Sequence, residues 1–425
     1  TDFFGFGRDG QACPTLWIPM LKTGDYILNA QADREAIYDE RCRNVLTLEG
    51  AALARSTISA WPSYAPTPLL DLPDIAREVG VSSVHYKDES ARFGLMSFKA
   101  LGGAYAVVRH LLLVIQREVG ETATVDDILA GRYADIVGRQ TVCCATDGNH
   151  GRSVAWGART FGCRAVIFIH ATVSEGRRAA IEAFGAEVRR TAGNYDASVA
   201  EADATASREG WTVVSDTSYP GYRTIPCDVM HGYTLMAQEA YDQLPGDLPA
   251  THQFVQTGVG GMAAAVCAQG WQLYGSNRPR TILADPTRAA CWFESIRAGK
   301  PVAVTGDIDT LMAGLACGEV SELAWEILDR GADAVIAVED KDAEDGMRRL
   351  AGGGPNTPPI VAGERAVAGL AALLAVAKKP SARDQLALTA DSRVLLFGTE
   401  GATDPAVYAR IVGRSADSVL RQAAD

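Results

Sequence analysis

The chain has 425 residues, and its 40 basic against 52 acidic side chains give a formal net charge of −12. With 47% hydrophobic and 22% charged residues it has the composition of a globular protein, which excludes the disordered and fibrous classes. The acidic balance lacks the basic footprint of a nucleic-acid-binding protein. The sequence also has no polybasic cluster that would bind an anionic membrane.

Membrane segments and metal motifs are missing from the sequence as well. The longest apolar run, residues 366–377, is shorter than the ~20 residues that span a bilayer, and residues 1–20 lack the layout of a signal peptide. Nine cysteines occur without a CxxC pair and six histidines without an HxxxH pair, so no metal site is indicated and free thiols are expected. We therefore expect a cytoplasmic protein without a metal.

From about residue 80, short β-branched runs alternate with longer helical patterns. The runs predict strands near residues 84–86, 141–144, 165–169, 187–188, 212–214, 254–255, 281–283, 334–336 and 394–397, and helices over 98–118, 150–161, 174–184 and from 195. Almost wholly apolar strands separated by helices are typical of parallel sheets that are covered on both faces. The predicted fold class is therefore α/β. Residues 1–60 show no such rhythm.

A lysine stands at the predicted start of the first of these helices. Lys99 follows a loop that contains Gly94, and the helix continues through Gly102 and Gly103. Because the N-terminus of a helix disfavours cations, a lysine there is more easily neutral, as an amine nucleophile must be. An ordinary exposed lysine would give the same pattern.

Three more loops join the end of a predicted strand to a helix, the position where α/β sheets bind ligands. Residues 146–151 and 257–263 are rich in glycine, and their backbone N–H groups could hold an anion. A plain helix cap explains the first equally well, and residues 257–263 also fit a dinucleotide-binding fingerprint. That fingerprint needs an acidic residue about 20 residues after the glycines, and the candidate, Asp285, lies farther along the chain than this. The last loop spans residues 397–404.

Taken in order, these loops resemble those of the fold-type II pyridoxal-phosphate enzymes, the superfamily of tryptophan synthase β and threonine dehydratase. The motifs are SFK at 97–99, GNHG at 148–151, TGVGGM at 257–262 and TEG at 399–401. Longer segments resemble the diaminopropionate ammonia-lyase family, over a match that runs from about residue 64 to 412. These segments are 88–95, 145–152, 214–217, 221–222, 312–319 and 399–404.

The resemblance implies an architecture of two parallel-sheet α/β domains with pyridoxal 5′-phosphate in the cleft between them. The large cofactor-binding domain would comprise residues 1–110 and 226–425, with residues 1–60 as an N-terminal extension. Residues 111–225 would form a small mobile domain that closes over the substrate. The family also implies a homodimer and a small amino-acid substrate.

The resemblance further assigns the site residues. Lys99 would bind the cofactor aldehyde covalently, Asn149 would bind the ring 3′-oxygen, and Thr399 would face the pyridine nitrogen, where a neutral hydroxyl suits elimination over transamination. The cofactor-binding set is Phe98, Lys99, Asn149, Gly258, Val259, Gly260, Gly261, Met262 and Thr399. The substrate-binding set is Ser97, Thr146, Asp147, Gly148, His150 and Tyr219.

Lys99, Asp147 and Asp216 form the predicted catalytic set. A carboxylate in the loop that binds the substrate carboxylate is unusual, which leaves two uses for Asp147. It is either a base that takes the Cα proton from the face opposite Lys99, so that D- and L-substrates both react, or the partner of a second ammonium group. Asp216 would orient or protonate the leaving β-amino group, although a turn-capping role fits it too.

Four functions are compatible with these motifs. The first is elimination of ammonia from D- or L-2,3-diaminopropionate, and the second is dehydration of serine, threonine or 3-hydroxyaspartate. A catalytically silent pyridoxal-phosphate protein and an NAD-dependent oxidoreductase are the others. The family pattern has a bulkier Trp-Glu pair where Tyr219 and Pro220 stand, which leaves the substrate open. Cys291 and Cys317 match two family cysteines that can pair, and free thiols are expected in a reducing cytosol.

Overall fold

Two β-sheets form the centre of the molecule. The computed structural model describes residues 21–146, 148–246 and 248–424, so Asp147 lies outside the described residues. The strands are β1 Tyr26–Leu28, β2 Leu69–Asp71, β3 Ser83–Asp88, β4 Thr141–Thr146, β5 Arg164–Ile169, β6 Glu187–Arg190, β7 Thr212–Val213, β8 His252–Gln256, β9 Arg280–Pro286, β10 Ala332–Val338 and β11 Arg393–Gly398.

The helices fill the connections between the strands. They are α1 Glu40–Arg43, α2 Leu48–Ser59, α3 Pro73–Val79, α4 Ala100–Val119, α5 Val125–Leu129, α6 Ala134–Val137, α7 Asn149–Phe161, α8 Glu175–Glu182, α9 Tyr195–Glu209, α10 Thr224–Gln243, α11 Gly261–Tyr274, α12 Cys291–Ala298, α13 Glu322–Gly331, α14 Asp340–Gly352, α15 Ala368–Ala377, α16 Pro380–Gln385, α17 Pro405–Val412 and α18 Ala416–Ala424. Short 3₁₀ turns span Arg92–Gly94, Gly275–Asn277 and Ala313–Leu315. In the part of the chain that the structure describes, no helix is long and apolar enough to cross a membrane.

The larger sheet has the strand order β1-β10-β9-β8-β11-β3-β2, and the smaller one has the order β6-β5-β4-β7. The five inner strands of the larger sheet are parallel, and all pairs in the smaller sheet are parallel. The edge strands β1 and β2 run antiparallel to their neighbours. The α/β class and the predicted strands are confirmed, with both antiparallel edges as additions to the expected parallel sheet.

Residues 21–60, where the sequence shows no rhythm, are ordered parts of this fold. β1 completes one edge of the larger sheet, and α2 is anchored to α10, where the His231 ring accepts the N–H of Thr47 at 3.2 Å. The segment was missed because β1 has only three residues and α2 has a weak apolar stripe, so neither produces a clear periodic signal.

The core lies on both faces of the larger sheet. Consecutive residues of its inner strands alternate between two hydrophobic clusters, so that Phe254 belongs to one cluster and Val255 to the other. The same alternation holds for Leu395 and Leu396. Because both strand faces are buried, the inner strands are apolar throughout, as the sequence pattern indicates.

Helix α4 connects the two sheets. It packs against α10 where Gly232 approaches the Leu101 carbonyl, so closely that a Cβ on Gly232 would lie 1.8 Å from that oxygen. On its other side a Cβ on Gly157 of α7 would lie 2.8 Å from Ala104. Glycine is therefore required at both contacts. These close approaches hold the N-terminal part of α4, which follows Lys99, against α10 on one side and α7 on the other.

Candidate active site

Three loops meet at one edge of the larger sheet because their strands are neighbours. β11 pairs with β3 from Arg393 opposite Ser83 to Gly398 opposite Asp88, and it pairs with β8 on its other side. All three strands are parallel, so the segments that follow them leave from the same edge. This brings the Lys99 loop, the Thr399 loop and the glycine loop 257–262 together.

The Lys99 loop is held directly against the Thr399 loop. Ser97 forms an isolated antiparallel bridge with Glu400, and the N–H of Phe98 donates to the Thr399 carbonyl at 3.1 Å. Within the loop Phe93 and Met96 have positive φ angles of 50° and 54°. Such strained backbone at residues other than glycine is found where a site needs a particular geometry.

Lys99 and Asp216 form a pair in the cleft. The Lys99 Nζ lies 2.5 Å from the Asp216 Oδ2 and 5.4 Å and 5.6 Å from the ring centres of Phe98 and Tyr233. Burial by itself lowers the pKa of Lys99, but Asp216 and then Tyr233 outweigh it, and the net pKa is raised. Burial likewise raises the pKa of Asp216, yet Lys99 and His150 hold it well below its usual range.

This pairing corrects one expectation. The helix start was expected to ease the neutral form of Lys99, whereas the neighbouring carboxylate stabilises the ammonium form. A charge at hydrogen-bond distance acts more strongly than the partial charge of a helix end.

His150 forms the next contact to Asp216. Its Nε2 lies 2.7 Å from the Val214 carbonyl, which accepts only, so Nε2 carries the proton. Its Nδ1 lies 3.7 Å from the Asp216 Oδ2 and is buried, with no hydrogen-bond partner among the described residues. The Val214 carbonyl therefore fixes the ring, which lies beside the Asp216 carboxylate.

The glycine loop between β8 and α11 is shaped as a cradle. Gly260 has φ +99°, and a Cβ there would lie 2.2 Å from the Trp292 ring. A Cβ on Gly258 would lie 3.0 Å from the Gly314 carbonyl. α11 begins at Gly261, and the N–H groups of a first helical turn have no partner inside the helix. Tight glycines followed by these donors match the needs of a phosphate group.

Asp285 does not fit the dinucleotide hypothesis. Its carboxylate is buried and accepts the N–H groups of Trp292 and Phe293 at 3.0 Å each and the Thr257 hydroxyl at 3.1 Å. Because all these bonds lie inside the protein, the carboxylate is not presented to a ribose hydroxyl.

Thr399 is supported by Gln256. The Gln256 amide nitrogen lies 2.9 Å from the Phe397 carbonyl, which identifies it as the donor, and 2.7 Å from the Thr399 Oγ1. Because Thr399 Oγ1 accepts this bond, its own hydrogen is left to donate elsewhere. The hydroxyl is thereby prepared to act as a donor.

Asn149 lies at the start of α7 and reaches across to the larger sheet. Its Nδ2 donates to Glu400 Oε2 at 2.6 Å, while Arg365 Nε donates to Glu400 Oε1 at 2.9 Å. Glu364 is buried nearby, 3.7 Å from Arg177 NH2. Burial and then the Glu400 charge raise the pKa of Glu364 to about 7, against the opposing effect of Arg365 and Arg177.

The remaining predicted residues are distributed around this centre. Thr146 Oγ1 accepts the N–H groups of Gly148 and Gly151 at 3.0 and 3.1 Å, and so fixes the turn on either side of Asn149. Ser97 Oγ lies 3.4 Å from the Lys99 N–H. Tyr219 is instead 39% exposed, stacked on Tyr222, and it lines a groove of about 500 Å³ whose walls do not include Lys99.

Several residues at this centre were not predicted as site residues from the sequence. Tyr233, Gln256, Glu364 and Arg365 lie in helices, strands or loops without a motif, so no local signal marks them. Glu400 belongs to the quoted TEG motif and directly follows the predicted site residue Thr399, which is the signal that could have identified it. In the described residues no group of histidine, cysteine and acidic side chains is arranged to hold a metal ion, and no disulfide joins Cys291 to Cys317.

Comparison with known proteins gives concordant matches. The model of the family described as pyridoxal-phosphate dependent enzymes matches residues 60–396. The diaminopropionate ammonia-lyase of Escherichia coli strain K12 is 40% identical over 368 residues, which cover 85% of this chain and 91% of that protein. The Salmonella typhimurium diaminopropionate ammonia-lyase is 39% identical over 369 residues, covering 84% and 90%.

Solved structures agree with these sequence matches. The crystal structure of the Escherichia coli diaminopropionate ammonia-lyase in complex with D-serine superimposes with a TM-score of 0.82 at 36% identity, covering 91% of this chain and 96% of that one.

Proposed function

Because the chain belongs to the pyridoxal-phosphate dependent enzymes and, within them, to the diaminopropionate ammonia-lyase family, we propose that it eliminates the β-amino group of 2,3-diaminopropionate. The elimination releases ammonia and an aminoacrylate. Hydrolysis of the aminoacrylate then yields pyruvate and a second ammonia. The observation that carries this proposal is the partly buried Lys99–Asp216 pair at the point where the family's loops meet.

The cofactor is pyridoxal phosphate, and the residues present fit it. The cradle is too tight for side chains at Gly258 and Gly260, and it offers N–H groups at the start of α11 from Gly261 onward, which suits the 5′-phosphate. The Thr399 hydroxyl, with its hydrogen left to donate, suits the pyridine nitrogen. When bound, the cofactor supplies an electron sink for the carbanion at Cα.

Lys99 is the residue that would bind the cofactor aldehyde and then move protons at the substrate. Its Nζ is held by Asp216 and lies near the Phe98 and Tyr233 rings, which restrict its position. An amine must be neutral to attack a carbonyl, so a proton of Lys99 passes to a neighbouring group before the bond forms.

Asp216 then faces the amino groups of the substrate. A diamine brings a second positive charge into the site, and a carboxylate whose pKa is held low by Lys99 and His150 remains ionised to bind it. This favours a diamino acid over a β-hydroxy amino acid. The His150 ring, fixed by the Val214 carbonyl, lies beside this carboxylate with its Nδ1 3.7 Å from the Asp216 Oδ2.

Asp147 is the second proposed base. In the sequence it stands between Thr146 and Gly148, in the segment that leads into α7. With Asp147 and Lys99 acting from opposite faces of Cα, both D- and L-diaminopropionate would lose their α-proton. The loop around Gly148 would bind the substrate carboxylate at the start of α7, as the family resemblance implies.

Residues 111–225 are proposed as a small domain that closes over the substrate. All four strands of the smaller sheet lie between residues 141 and 213, and the strands of the larger sheet lie outside that range. The bond from Asn149 to Glu400 is one contact that closure would make. We also propose a homodimer in the cytoplasm, as the family resemblance implies, and analytical ultracentrifugation tests the dimer.

The test measures ammonia and pyruvate released from D- and L-2,3-diaminopropionate, with serine as control, in protein saturated with pyridoxal phosphate. Two ammonia per pyruvate from the diamine, with little product from serine, is the expected result. One ammonia per pyruvate from serine and none from the diamine would contradict the proposal and assign the chain to the dehydratases.

A further inference from the structure

A buried tryptophan contacts the glycine cradle at two points. Trp292, near the start of α12, is fully buried, and its Nε1 donates to the Gly258 carbonyl at 3.0 Å. Its six-membered ring lies against Gly260, where a Cβ would be 2.2 Å from Cζ2. The side chain thus both binds the loop and sets the space that the loop can occupy.

These contacts determine the direction of the backbone donors. In a planar trans peptide the C=O and the N–H of the following residue point in opposite directions. Because the Gly258 carbonyl faces Trp292, the Val259 N–H faces away from it. The Val259 carbonyl is likewise taken by the Ser321 N–H at 2.9 Å, which turns the Gly260 N–H away from Ser321.

Trp292 is itself fixed by Asp285. One carboxylate oxygen accepts the N–H groups of Trp292 and Phe293, and the other accepts the hydroxyl of Thr257, the residue before Gly258. The carboxylate therefore ties the start of α12 to the start of the glycine loop. On the far side Trp325 stacks on Trp292 with ring centres 5.9 Å apart.

We propose that Trp292 is a positioning residue for the phosphate site: its indole N–H orients the Gly258 peptide so that the Val259 N–H is directed at the 5′-phosphate before the cofactor arrives. This rests on the proposed function, which assigns the glycine loop to the phosphate. Without the indole N–H the buried Gly258 carbonyl would keep only the weak Cys291 thiol donor, whose Sγ lies 3.7 Å away, and the peptide could rotate.

The test compares cofactor binding to the apoprotein of the wild type, Trp292→Phe and Trp325→Phe. Dissociation constants are measured for pyridoxal phosphate and for pyridoxal, which lacks the phosphate and still reacts with Lys99. We expect Trp292→Phe to raise the dissociation constant of pyridoxal phosphate about tenfold, which corresponds to about 1.4 kcal/mol of binding free energy. The dissociation constant of pyridoxal should be unchanged. Trp325→Phe disturbs the same ring stack without removing the N–H at Gly258, and it should leave both constants unchanged.

A second replacement at position 292 keeps the inference testable if the phenylalanine variant misfolds. Benzothienylalanine at position 292 keeps the fused ring and replaces the N–H by sulfur. It should give the same selective loss and shift the ³¹P resonance of the bound cofactor. Equal loss for both ligands, or no loss, overturns the inference and leaves the proposed function standing. Equal affinity of the wild type for the two ligands would instead overturn the assignment of the glycine loop, and the inference with it.

Discussion

The side-chain amide of Asn149 donates a 2.6 Å hydrogen bond to the Glu400 carboxylate, and this bond joins the two sheets of the molecule. Asn149 follows β4 of the smaller sheet, and Glu400 follows β11 of the larger one. Both side chains are buried, and Arg365 holds the other Glu400 oxygen. The relative position of the two sheets is therefore coupled to the loops that carry the proposed cofactor contacts.

Asn149→Ala should destabilise the apoprotein by about 1–3 kcal/mol, since it removes a donor from a buried carboxylate. Urea unfolding measures the change. Asn277→Ala, at an exposed asparagine, is the matched control and should have no effect. Equal stabilities of wild type and Asn149→Ala would mean that this bond contributes nothing to the association of the sheets.

Lys99→Ala should abolish turnover, because the covalent bond to the cofactor and the proton that Lys99 carries are both lost. The visible absorbance band of the lysine-bound cofactor should disappear as well. Lys300→Ala, at an exposed lysine, should retain both properties. Substantial activity in Lys99→Ala would refute the proposed mechanism.

Asp147→Asn should impair one enantiomer of 2,3-diaminopropionate much more than the other. The reason is that a base on one face of Cα serves only the substrate whose proton points to that face. Initial rates with D- and L-substrate, each compared with the wild type, provide the measurement. A loss of equal size on both enantiomers would exclude the two-base arrangement.

Stability should depend on pH through Glu364. Its pKa in the folded protein is raised from an ordinary 4.5 to about 7, mainly by burial and then by Glu400, with Arg365 and Arg177 acting in the opposite direction. Between these values the folded chain retains a proton that the unfolded chain releases, so this group's contribution to stability falls as pH rises through the window.

Glu364→Gln should remove that dependence. Urea unfolding between pH 4.5 and 7 should show a shallower loss of stability with rising pH in the variant than in the wild type. Glu49→Gln, at an exposed carboxylate, should follow the wild type. Parallel curves for Glu364→Gln and wild type would show that Glu364 does not titrate in this range.

Thr399→Asp should divert the reaction from elimination. A carboxylate in place of the hydroxyl favours a protonated pyridine nitrogen and hence transamination, so less pyruvate and more pyridoxamine phosphate are expected. Thr399→Ser keeps the hydroxyl that Gln256 orients and should retain the wild-type product ratio. An unchanged product ratio in Thr399→Asp would show that residue 399 does not govern the pyridine nitrogen.

Local pattern was sufficient to predict much of this protein. The alternation of apolar strands with amphipathic helices depends on neighbours a few residues apart, and it predicts β3, β4, β5, β8, β9, β10 and β11 close to their observed bounds. The loop around Lys99 and the glycine loop 257–262 were predicted in the same way, because a tight turn before a helix requires glycines within a few positions of the helix start.

Only the tertiary structure decided which of these pieces meet. The order of the strands places β3, β11 and β8 side by side, although they are far apart in the chain. Lys99 and Asp216 are separated by 117 positions, and Asn149 and Glu400 by 251. Trp292 carries no motif at all, and its role follows from its contact with Gly258. Such contacts depend on how whole helices and sheets pack, and no spacing along one segment of the sequence encodes that packing.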